Sequence, residues 1–75
     1  MLEERLLLAK GFVIEIFLFA GHAYRLSCRK GNDLLVEYEN DGRKLNGRKS
    51  AYVFKSVEQL RYDFERDAEN AQRQA

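Results

Sequence analysis

Four features of this sequence could carry chemistry: its one histidine, its one cysteine, a carboxylate set inside an apolar run, and a cluster of basic residues. His22 follows Gly21 in a stretch that reads as a turn. It has no second histidine and no nearby cysteine, so a structural zinc site fails on ligand count. A lone imidazole needs partners to act, and His22 is read as an exposed turn residue. Cys28 alternates with Tyr24 and Leu26 on what should be an apolar strand face. A buried free thiol behaves there as a small hydrophobe. A reactive thiol would need an open, basic setting, which the adjacency of Arg29 and Lys30 in sequence does not by itself supply.

Glu15 interrupts the apolar run from Phe12 to Phe19. A carboxylate on a buried face needs a partner or a raised pKa. The expected role is a paired structural carboxylate, or one at the rim of an interface, ahead of a general acid or base. The chain has no serine–histidine–acid arrangement, no phosphate-cradling glycine motif and no metal-ligand spacing. The expectation is therefore a protein that is not an enzyme, with no cofactor and no small-molecule substrate.

Arg43, Lys44, Arg48 and Lys49 flank Asn46-Gly47, and Tyr52 follows them. Basic residues on a hairpin can grip phosphates, with a tyrosine as stacking surface. The competing reading is a solvated loop kept soluble by its charge. Thirteen Lys and Arg against twelve Asp and Glu give a net charge of only +1. A protein that tracks phosphate backbones usually carries a larger excess. Charge is unevenly placed, however, with a mildly basic middle (residues 23–56) between mildly acidic ends. Nucleic-acid binding through residues 43–49 is thus the second reading, behind the solvated loop.

These residues need elements to hold them. At 75 residues the chain fits one domain, 1–75. With 45% hydrophobic and 12% aromatic residues it has the composition of a globular chain. A single cysteine rules out an intramolecular disulfide scaffold, and a reducing, cytoplasmic setting is the default. The start Met1-Leu2-Glu3-Glu4-Arg5 lacks the basic opening of a signal peptide, and the run 6–20 is too short and too charged to span a bilayer. No membrane association is expected.

Residues 2–9 favour a short helix by composition, stopping at Lys10-Gly11, with a strand extension close behind. Phe12 to Phe19, rich in branched and aromatic residues, predicts a strand. Further strands are predicted over Ala23–Arg29, Leu34–Glu39 and Ala51–Phe54, while residues 43–46 form either part of a long loop or a short extra strand. Ser56 and Gln59 form a capping-box pattern ahead of a helix whose stripe is Val57, Leu60, Phe64, Ala68 and Ala71. The fold class is α+β: a four-stranded, mainly antiparallel β-meander with one C-terminal helix packed on the sheet.

The first hairpin leaves two registers open. A two-residue Gly21-His22 turn sets Phe17 beside Leu26, whereas an odd-length loop sets Ile14, Ile16 and Leu18 beside Cys28, Leu26 and Tyr24. Under either, strand 12–19 is apolar on both sides and one helix covers only one. Val13, Ile16, Phe17 and Phe19 are therefore candidate interface residues. The expected function is a small non-catalytic macromolecular interaction or accessory protein, the expected partners being a second copy of itself and another protein.

Overall fold

The computed structural model describes residues 2–19, 23–40 and 42–74. It carries the chain up and down through β1 (Leu2–Leu7), β2 (Phe12–Leu18), β3 (Tyr24–Lys30), β4 (Asp33–Glu39), β5 (Gly42–Leu45) and β6 (Arg48–Ala51). The helix α1 (Val57–Gln74) follows. Each strand pairs antiparallel with the next, so the sheet order is the chain order. The α+β meander with a C-terminal helix agrees with the sequence, but the described residues form six strands where four are expected.

The two additional strands have separate causes. Residues 2–7 are strand and not helix, since pairing with β2 outweighs a composition that favours helix only weakly over so few residues. Lys10-Gly11 is not a helix cap. It belongs to the tight turn Ala9–Gly11 that folds β1 back on β2, closed by the Leu8 N–H donating to the Phe12 carbonyl at 2.8 Å. At the other end Asn46-Gly47 makes a two-residue hairpin, with φ of 50° and 83° at its central positions. Positive φ at both is the type I′ requirement that Asn-Gly meets. Residues 42–51 thus become β5 and β6 rather than a loop. The expected strand at 51–54 ends at Ala51, although the Tyr52 and Phe54 side chains still pack on the core.

The first hairpin takes the odd-length register. Ile14 faces Cys28, Ile16 faces Leu26 and Leu18 faces Tyr24, and the Phe19 N–H donates to the Ala23 carbonyl at 2.8 Å. His22 and the Gly21-His22 turn lie outside the described residues. That register gathers Phe12, Ile14, Ile16, Tyr24, Leu26, Cys28, Val36 and Tyr38 on one face, where Leu60, Phe64, Ala68 and Ala71 of α1 cover them. The alternation that predicts Leu34 beside Val36 and Tyr38 is broken by a bulge, which sets Leu34 opposite Arg29.

The Ser56 hydroxyl accepts the Gln59 N–H at 3.1 Å and so caps the helix. The reciprocal half of the capping box is not formed; the Gln59 side chain instead reaches forward, its Nε2 donating to Asp63 at 2.9 Å. Phe64 is fully buried and meets Tyr38 edge-on, with ring centroids 5.8 Å apart at 88°. Val57 is 41% exposed, so the docked stripe begins at Leu60. No helix among the described residues is long and apolar enough to cross a membrane.

Candidate functional site

The two-residue turn at Asn46-Gly47 decides the fate of the basic cluster. It sets Leu45 opposite Arg48, Lys44 opposite Lys49 and Arg43 opposite Ser50. Side chains alternate along a strand. Arg43 and Arg48 therefore share the helix-side face with Tyr38, while Lys44 and Lys49 share the open face with Glu37. The four residues do not form one surface.

Arg43 is engaged inside the fold. Its Nη1 donates to the Tyr38 hydroxyl and to Asp67 Oδ2, each at 3.3 Å, and its Nε donates to Ser50 Oγ at 3.3 Å. Tyr38 donates its own hydroxyl to Asp67, so an arginine on β5, a tyrosine on β4 and an aspartate on α1 close a three-way bond across the helix–sheet seam. Burial, reinforced by the hydrogen bond to Asp67, pushes the Tyr38 phenol up to about 12. Beside it Tyr52 donates to Asp63 at 2.6 Å. That bond holds the Asp63 carboxyl below the usual carboxylate range, with help from Gln59 and Arg66, while burial raises the Tyr52 phenol. These tyrosines and aspartates satisfy each other and fasten the helix to the sheet.

Cys28 is completely buried in the core, and burial pushes its thiol up, away from the nucleophilic thiolate. Glu15 sits on the open face between two arginines, 4.0 Å from Arg5 Nε and 3.9 Å from Arg29 Nε. Opposite it on β3 is Ser27, only 5% exposed. Next along that row, Glu37 pairs with Arg25 at 3.1 Å. The open face sets Arg5, Arg25, Arg29, Lys44 and Lys49 against Glu3, Glu15, Glu37 and Glu39, and is close to neutral.

The apolar candidates divide as well. Ile16 points to the helix and is 3% exposed, so the fold withdraws it from any partner. Val13 and Phe17 lie half-buried on the open face, and Phe17 stacks on the exposed Phe19 with centroids 6.3 Å apart. Beside them stand residues whose composition favours a helix. Leu2, Leu6, Leu7 and Leu8 all remain exposed on or next to β1, beyond the cover of α1. Three leucines and an alanine in a row after an acidic start hide this flank from sequence reasoning, because the same letters make a helix. Among the described residues no group of three or more His, Cys, Asp and Glu stands close enough together to hold a metal ion. No family model, curated protein or solved structure matches the chain.

Proposed function

We propose that this chain is a small non-catalytic interaction protein that works as a homodimer and binds a further protein through what its sheet leaves exposed. One observation carries the reading. Among the described residues, five of the eight large exposed hydrophobics, Leu2, Leu6, Leu7, Leu8 and Phe19, lie along the β1 margin of the sheet and the adjoining end of β2, Leu2 and Leu6 on its helix side and Leu7 on its open face. Apolar side chains concentrated in one region are the usual mark of an interface. The reading as a non-enzyme is supported by the polar clusters, whose groups are hydrogen-bonded to one another where the helix meets the sheet. Sedimentation of the purified chain across the micromolar range tests the proposal. A dimer dissociating on dilution is expected, and a monomer at every concentration would overturn it.

Nucleic-acid binding is the second reading, favoured by the direct pairing of Lys44 with Lys49 on the open face. It ranks lower because the carboxylates interleaved with the bases there repel the same phosphates the bases would attract.

A further inference from the structure

We infer that the dimer is built by the free edge of β1 pairing antiparallel with the β1 of a second copy, with Glu3 opposite the partner's Arg5. The inference rests on the homodimer reading and adds its seam, its symmetry and its register.

The backbone defines which groups are available. In an antiparallel pair, bonded and non-bonded residues alternate. The Leu8 N–H bonds to Phe12, so Leu6, Glu4 and Leu2 also turn their backbone groups toward β2. Those of Glu3, Arg5 and Leu7 point away from the sheet, where no described strand meets them. A strand edge of that kind is a template for another strand. β6, at the far edge, has only four residues and begins with two like charges, Arg48 and Lys49. β1 has six residues, no lysine and no proline.

Symmetry and charge then select one register. Two copies joined edge to edge and antiparallel are related by a two-fold axis perpendicular to the sheet, so residues facing each other across the seam share a face. An axis through Glu3 sets two glutamates against each other, and an axis through Arg5 sets two arginines together and Glu4 against a leucine. The axis through Glu4 pairs Glu3 with the partner's Arg5 twice on the open face. It also pairs Leu2 with the partner's Leu6 twice on the helix side. Glu3 and Arg5 are then the bonded residues, as their outward backbone groups require. Leu2 and Leu6, 38% and 47% exposed in the single chain, acquire cover. The two Glu4 carboxylates approach across the axis, but each already lies 3.6 Å from its own Arg61, so the four charges offset one another.

The test is a charge exchange. Glu3→Arg and Arg5→Glu, each alone, place like charges in both seam pairs and should weaken self-association by about tenfold or more. An equimolar mixture of the two variants restores both attractions and should form heterodimers at least as tight as the native homodimer, read by sedimentation and native mass spectrometry. A native chain that is monomeric overturns the homodimer reading and this inference together. Native-like dimers from both single variants, or a mixture that stays monomeric, overturn the inference alone. Glu4→Cys supplies a reading free of any charge swap. Only residue 4 meets its own copy on the axis, at a spacing a disulfide can bridge. Mild oxidation should link Glu4→Cys into a covalent dimer and leave Glu3→Cys unlinked, and the reverse result would overturn the register. Cys28, fully buried, does not compete.

Discussion

Tyr52 and Asp63 show how one hydroxyl can set a pH response. The hydrogen bond from Tyr52 depresses the Asp63 carboxyl in the folded chain. A carboxylate depressed on folding contributes stability that is fully present above its ordinary pKa near 4 and disappears as pH falls through the folded value. Tyr52→Phe should therefore be less stable than the native chain at neutral pH, with the gap narrowing below about pH 4 as the carboxyl is protonated. Urea unfolding of both proteins across that range checks it, and a gap independent of pH would count against the role given to Tyr52. Arg43 teaches the complementary lesson. It was legible as a base but not as a helix fastener, since its partners Tyr38 and Asp67 lie on other elements. A two-residue Asn46-Gly47 turn does carry one usable signal: it fixes Leu45 against Arg48, and alternation then parts Arg43 from Lys44.

At the scale of elements, the helix is held through the stripe from Leu60 to Ala71 and through the aromatic contact of Phe64 with Tyr38. Phe64→Ala should cost about 3–5 kcal/mol, because the site is fully buried and cannot collapse around so large a loss. Unchanged melting of the variant would show that the helix is not docked there. The helix was legible because its 3.6-residue spacing and Ser56 cap agree. Strands β2, β3 and β4 were legible from branched and aromatic residues. β1 was not, because Leu-Glu-Glu-Arg-Leu-Leu has more helix propensity than strand propensity, and only the neighbouring β2 overrides it. The register of β2 on β3 was also hidden, since both sides of Phe12–Phe19 are apolar and a one-residue slip looks equally good from the letters alone.

For the whole molecule, charge separates the two readings. If Lys44 and Lys49 contact phosphates, nucleic-acid affinity should fall with salt, each contact adding a slope of about −0.7 to −0.9 in log affinity against log salt. The clean variant is Lys44→Ala with Lys49→Ala, since both are exposed and neither is tied to the helix. Arg43→Ala would unfasten α1 and confuse the result. The near-neutral open face leads us to expect no binding in a probe shift at about 100 mM salt, where the Debye length is near 10 Å. A shift abolished by the lysine pair would reverse the order of the readings. The sheet's unlike margins have a different consequence, for the size of the assembly. A sheet that could recruit at both ends would add copies without limit and grow into a fibre. Here, in the proposed pairing, joining β1 to β1 consumes the receptive margin of both copies and leaves outward only the short β6, beginning Arg48-Lys49, at each end. In that pairing growth terminates at two, and a particle of fixed size would follow from the unlike chemistry of the sheet's two edge strands rather than from any separate capping element.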